Sequence, residues 1–408
     1  MDPKEKLVRL LEPKTKAAIL HPEEEVRVAA TMYFSGSFSP DETIMPLVIQ
    51  AVETYGRDRA SRILRAAESL PQTHATVEWL IRELRRDYDL ADLDNDNYRF
   101  AIALIVHHAG PEVLLQRKEF IIALPMFPDQ LRQSLDERLD MLSWDWDRGW
   151  AALEALGQDT MRRGEFTHND VRHAHHIVGS LARHRVTKAS SVLSLLEVTH
   201  AGRAEAWLRW FEPLFVNLAG VMRLESAVPL LVERLYADNV NVNDEAITAL
   251  IRINTDAVVE AIVDEWEDAD TGFRAGASDV LEHICTDLCA KSCLAFFAAE
   301  ENPDTTLSLA HAVLSQFVVE GLEAVRQLVL GHDEELTSDG LDIRYRLVVA
   351  CAIMGAWFPE YKKWHEDAKA NNWGLGDYRP PRLLADSFRP NQPGQKRSRN
   401  GKRHRWMA

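Results

Sequence analysis

One apolar pattern, repeated at a fixed spacing, constrains this chain more than any other feature. Counting from Val242, offsets four, seven, eight and eleven are Ala246, Ala249, Leu250 and Ile253. Counting from Phe273, the same offsets give Ala277, Val280, Leu281 and Ile284, so one stripe is written twice, 31 residues apart. Residues spaced this way share one face of an α-helix. A repeat of this length predicts a stacked helical array, because each unit is too small to bury its own face and needs its neighbours.

The template also fits from Val26, Gly56, Tyr98, Leu131, Asp170, Trp207, Thr306 and Tyr345, with successive starts 30 to 42 residues apart. Arg follows five of these starts or their neighbours: Arg27, Arg99, Arg172, Arg274 and Arg346. A second apolar stretch follows each template helix, for example Ile44–Tyr55, Ala227–Tyr236 and Ala257–Trp266. Pro40-Asp41, Gly110-Pro111, Asn241, Asp256 and Pro303-Asp304 supply cap and breaker chemistry between them. No strand-like alternation bounded by turn signals appears. The fold expected is all-α, an α-α superhelix of about ten helical pairs. Residues 1–21 are read as an N-terminal cap helix, 22–370 as the solenoid, and 371–408 as an irregular exit with a basic, disordered tail.

The stretch DNVNVNDEAITALIRINTDAVVEAIVDEW and its echo HPEEEVRVAATMYF resemble HEAT repeats, in the short bacterial form also seen in phycobilisome-lyase-like repeats. The resemblance runs from about Pro22 to Phe358 and implies a superhelix whose second helices line the concave side. It implies no activity, since this architecture hosts scaffolds, adaptors and some enzymes. The tail NQPGQKRSRNGKRHRWMA resembles a degenerate SEC-C motif. Asn391 and Pro393 match its NxP, Gly401-Lys402-Arg403 match its GKK, and its four Cys ligands are missing. Without them a structural zinc site cannot form there.

Net charge is −16, yet residues 389–408 hold seven Lys/Arg and no Asp/Glu. The remaining body is strongly acidic, which argues against a broad duplex-binding surface. An alkylpurine-glycosylase-like activity is disfavoured on the same ground. The start MDPKEKLVRLLEPK has no apolar signal core, and no long uncharged apolar run suggests a membrane span. Four Cys do not form a secreted disulfide framework, so a cytoplasmic location is expected.

Candidate sites each have a plainer reading. Cys285, Cys289 and Cys293, four apart, could align thiols for a metal, but buried Cys also packs as a small apolar residue. His168, His173, His175, His176 and His184 crowd one helix and its flanks, and His107-His108 sits on another. The His-Glu dyads of the deoxyhypusine hydroxylases, HEAT-type di-iron enzymes, appear only once, at His365-Glu366. No metal or cofactor is therefore expected. Trp146 and Trp210 lie off the template and could anchor a bound protein, whereas Trp207, Phe211 and Phe215 sit in core positions. Glu233, Glu260 and Asp264, on second helices, would make an acidic groove for a basic segment. Lys396, Arg397, Arg399, Lys402, Arg403 and Arg405 offer a tether for RNA, a ribosome or an acidic protein. The expectation is a non-enzymatic scaffold or adaptor for an unidentified protein. The alternatives are a metal- or His-dependent enzyme on the same scaffold and a nucleic-acid-associated protein.

Overall fold

The computed structural model describes residues 11–86, 93–125, 127–202, 204–331 and 343–370. Among them the ordered elements are helical and no strand occurs. Helix α1 (Leu11–Ala18) leads into a series of pairs. The first helices are α2 (Glu24–Gly36), α4 (Ser61–Ala66), α6 (Leu93–His108), α9 (Asp129–Asp140), α11 (His168–Ala182), α14 (Glu212–Val221), α16 (Val240–Ile253), α18 (Thr271–His283), α20 (Pro303–Ser315) and α22 (Ile343–Met354). Their partners are α3 (Ile44–Tyr55), α5 (His74–Arg85), the short α7 (Pro111–Leu114) with α8 (Lys118–Ile122), α10 (Trp146–Arg163), α12 (Arg185–His200), α15 (Val228–Glu233), α17 (Asp256–Trp266), α19 (Asp287–Ala299), α21 (Val319–Gly331) and α23 (Tyr361–Ala370). A short helix, α13 (Ala206–Trp210), precedes α14.

Each first helix packs on the first helix of the next pair, and α22 then packs back on α2. The helical repeat solenoid thus closes into a ring. Contacts across the ring come largely from first helices and the residues just after them. Arg223 Nη2 donates to the Phe38 carbonyl at 2.5 Å and Asn254 Nδ2 to the Ser37 carbonyl at 3.3 Å. The Tyr33 and Phe317 rings lie 5.5 Å apart. First helices therefore form the inner layer, which corrects the expectation that second helices line the concave side. The physical reason is breadth of apolar cover. From Pro213 to Gly220 every residue of α14 is buried, whereas α15 buries only Val228, Leu231 and Val232. A helix covered on all sides belongs inside.

Repeat register is written in the backbone as well as in the apolar stripe. Phe38, Arg223, Asn254 and Phe317 have φ between 48° and 51°, and Gly355 has φ 69°. Each closes an inner helix in the left-handed conformation that frees the chain to turn outward. Ser39 N–H to Phe34 O (2.9 Å), Leu224 N–H to Ala219 O (3.1 Å) and Ala356 N–H to Cys351 O (2.9 Å) complete Schellman-type closures. Counted back twelve residues, these caps set the repeat starts at Val26, Phe211, Val242, Thr305 and Ile343. The template starts expected at Trp207, Thr306 and Tyr345 are therefore out of step. At Trp207 the cause is local: Pro213 opens a new helix, so that stripe straddles α13 and α14.

Side chains satisfy the inner helix ends from neighbouring pairs. Arg138 Nη2 donates to Ala109 O (2.8 Å), Arg183 to Leu142 O, and Gln316 Nε2 to Ile284 O (3.0 Å). The Arg after a template start does the reverse job, holding the end of the preceding segment. Arg27 donates to His21 O and Pro22 O, Arg132 to Leu124 O and Phe127 O, and Arg274 to Trp266 O and Glu267 O. A cation at carbonyls that end a helix is favourable for both hydrogen bonding and dipole.

The inner layer is tightest between α14 and α16. A Cβ on Gly220 would stand 2.5 Å from Ala249 Cα, whereas one on Gly179, in α11, would meet nothing within 4 Å. Gly220→Ala should therefore lose about 1–3 kcal/mol by overpacking. Gly179→Ala should be neutral or gain up to about 1 kcal/mol from helix propensity. Urea unfolding of the two variants checks this, and equal effects would contradict the packing described.

Candidate binding surfaces

Glu233, Glu260 and Asp264 all lie exposed on the outer helices α15 and α17, which pack side by side. Glu233 meets His200 Nε2 at 3.1 Å across to α12. Between residues 225 and 304 there are eighteen Asp/Glu and four Lys/Arg. Arg234 is 2% exposed and paired with Glu212, Arg252 is 8% exposed, and Arg274 is turned to backbone carbonyls and Glu300. Lys291 alone among the four is exposed. Arg234, Arg252 and Arg274 are thus held against the body, and Glu233, Glu260 and Asp264 stand exposed, while Glu245 and the side chain of Glu300 are buried.

The aromatic candidates are placed differently. Trp146, at the start of α10, is half-buried against the core, stacked on Trp150 at 6.2 Å with Lys188 Nζ 5.4 Å from its ring. Trp210 is half-buried too, and its Nε1 has no hydrogen-bond partner. Trp207, Phe211 and Phe215 are buried, as core positions require. The basic residues Lys396, Arg397, Arg399, Lys402, Arg403 and Arg405 lie outside the described residues.

Sequence reasoning missed one concavity. An open cleft of about 510 Å³ lies beside α9, lined by Glu137, Asp140, Met141, Ser143, Trp144, Arg148 and His173. Beneath it a hydrogen-bonded chain runs inward. His173 and His176 both approach Glu137 through Nδ1, the latter at 3.2 Å. His176 Nε2 lies 3.2 Å from Ser134 Oγ, which lies 2.8 Å from His107 Nε2. One proton order satisfies this chain with neutral imidazoles. His107 donates to Ser134, Ser134 donates to His176, and His176 donates to the Glu137 carboxylate. These imidazole hydrogen bonds and charges hold Glu137 down at about 2. Burial drives His107 down to about 2, with His108, Arg138, His176 and Arg172 adding to the effect.

Acid, imidazole and hydroxyl stand here in the order of a hydrolytic triad. Yet Ser134 is 2% exposed and wedged between His107 of α6 and His176 of α11, so no substrate carbonyl reaches Oγ. The chain is a buried polar seam between inner helices. The expected His cluster is split by it: His173 and His176 join Glu137, while His175, driven down to about 4 by burial and Arg252, faces elsewhere. Two adjacent positions on a helix cannot share a face, and that rule could have divided them from sequence.

A second, smaller pocket of about 70 Å³ sits where the ring closes, with Met32, Tyr33, Phe317 and Val349 on its apolar side. On its polar side Arg346 Nη1 pairs with Glu282 Oε1 at 2.7 Å, joining α22 to α18. In the corrected register Arg346 stands three residues past its repeat start, which is why it points here and not to a preceding helix end. Cys289 and Cys293 are fully buried, with sulfurs 3.9 Å apart, and Cys289 donates to Leu281 O. Among the described residues no group of three or more His, Cys, Asp or Glu is arranged to hold a metal. No described helix is long and apolar enough to cross a membrane.

No protein-family model matches the chain, and no curated protein does. A crystal structure of an engineered protein is similar at 13% identity, covering 85% of this chain and 99% of that one with a TM-score of 0.32. A likeness at that score carries no argument about fold or function.

Buried imidazoles give the fold a pH dependence of defined sign. His107, His175 and His311 have folded values of about 2, 4 and 3, below the 6.5 of a free imidazole, with desolvation the largest cause. The unfolded chain therefore binds more protons below pH 6.5, and stability falls as pH drops from about 6.5 toward 4. Glu137 adds a loss below about pH 4.5, the ordinary value for its carboxyl. Urea midpoints at pH 7, 6 and 5 should decline in that order, and His107→Gln should flatten the decline. A midpoint that rises on acidification would contradict the buried neutral state.

Proposed function

We propose that this protein is a non-enzymatic scaffold or adaptor, a HEAT-like ring whose outer acidic ridge over α15 and α17 takes a basic segment of a protein partner. The observation that carries the reading is the separation of charge between residues 225 and 304. Carboxylates that find no cation on their own surface produce a local negative potential, and such potentials steer and orient cationic partners. The ring form moves the binding surface from a concave groove to the outer helices, because α2 and α22 meet and the inner layer is filled. The basic tail, 389–408, acts in this reading as a separate tether to an acidic or nucleic-acid partner.

A lysine-rich peptide titrated into the full chain at low salt should bind and should weaken as salt rises. The triple variant Glu233→Gln, Glu260→Gln, Asp264→Asn should weaken it roughly tenfold, at about 0.5 kcal/mol per exposed charge removed. Binding that ignores both salt and these three changes would overturn the ridge. Loss of RNA cosedimentation on deleting 389–408 would support the tether, and its persistence would remove the tail.

A further inference from the structure

The cleft beside α9 carries its own clue to what it holds. Its aromatic wall is Trp144, and that ring is already covered by a guanidinium. Arg148 Cζ stands 4.5 Å from the ring centroid, a stacking distance for a planar cation on indole. Arg148 is exposed, and among the described residues it makes no ion pair. Only stacking holds it in place, so it can swing away at little cost.

Opposite the ring, α9 presents carboxylates in excess. Asp136 and Asp140 share a single ammonium, Lys118 Nζ, at 2.6 and 2.5 Å, and remain 50% and 68% exposed. Glu137, one residue past Asp136, lines the same cleft and is approached by the imidazoles of His173 and His176. Glu137 and Asp140 thus line the cleft, and Asp140 shares its ammonium with Asp136. Met141 adds an apolar strip of the kind that receives a side-chain stem. An aromatic face, an adjoining carboxylate wall and an apolar strip are what a guanidinium on a flexible stem requires.

We propose that this cleft is a receptor for an arginine side chain of a partner protein, with Arg148 its intramolecular placeholder. The proposal shares with the ridge reading a basic partner but rests on different residues. Arg148 occupies the ring in the free protein and yields it on binding, so the chain carries a weak internal competitor for its own site. A competitor of this sort lowers apparent affinity by the fraction of time the site is filled.

The test uses N-acetyl-arginine amide and its uncharged isostere N-acetyl-citrulline amide, titrated by NMR into the full chain. Arg148→Ala should bind the arginine probe several-fold more tightly than the wild type, and the citrulline probe should not saturate. Adding Asp140→Asn to Arg148→Ala should weaken binding roughly fivefold, the worth of about 1 kcal/mol at a well-placed charge. Asp140 is mostly exposed, so that variant leaves the fold intact. Adding Trp144→Phe should weaken binding, and Trp144→Ala should abolish it, with unfolding curves recorded for both. Equal binding of the two probes, no gain from Arg148→Ala, or indifference to Asp140→Asn and Trp144→Phe would overturn the proposal. Peptide binding lost only in the Glu233, Glu260, Asp264 variant would keep the ridge and discard the cleft. Arginine binding lost only with Trp144 and Asp140 would do the opposite.

Discussion

The ring depends on how its inner helices end. Inner helices here bring their C-terminal carbonyls into the body of the protein, where unmet acceptors are costly. Neighbouring pairs supply the donors. Arg138 serves α6, Arg183 serves the turn after α9, Gln316 serves α18, and Lys14 of α1 reaches Met354 O at the end of α22. Two further bonds cross the ring, from Arg223 and Asn254 to the end of α2. An open solenoid would leave the Phe38 and Ser37 carbonyls to solvent. Closure lets α2 cover the seam while polar side chains replace the missing water. The Arg223 guanidinium bond is worth about 1.5–3 kcal/mol and the Asn254 amide bond about 0.5–1.5 kcal/mol, and both favour the closed form.

Much of this fold was legible in the chain. A helical stripe recurring at near-constant spacing can only be buried by stacking, and the Arg beside several starts marked the staples before any contact was visible. The register was less legible, because a generic apolar stripe tolerates shifts of one, two or four residues when a helix is buried all round. Thr305 and Thr306 both begin stripes that end up inside. What fixes the register is the left-handed cap, and a non-glycine cap such as Phe38 or Phe317 gives no signal in sequence. Closure was illegible for a different reason. Its bonds join residues 185 and 217 positions apart, and nothing local encodes which distant carbonyl a side chain will meet.

The sites divide along the same line. Glu233, Glu260 and Asp264 are exposed on the polar face of second helices, and those helices lie outside rather than along a concave groove. Trp210 looked free because it falls off the stripe, but the break at Phe211 gives it a different helix and a different face. Glu137 gave no sign at all. Glu137 is one carboxylate among many on α9, and it becomes notable only when His173 and His176, on another helix, close over it.

A further consequence concerns why the molecule sorts charge as it does. The inner rim is lined by helix carbonyl ends, which carry partial negative charge, so cations are drawn inward to Arg223, Arg252 and Arg138. Guanidiniums suit this task, since they donate several bonds in a plane and stay charged when half-dehydrated. Each cation spent on the interior is one fewer on the surface. In a chain with more acids than bases, the outer helices are then left with carboxylates that no neighbour neutralises. The acidic ridge is in this sense a by-product of how the ring is closed. Beside α9 an exposed cation, Arg148, rests on an aromatic ring instead of a carboxylate.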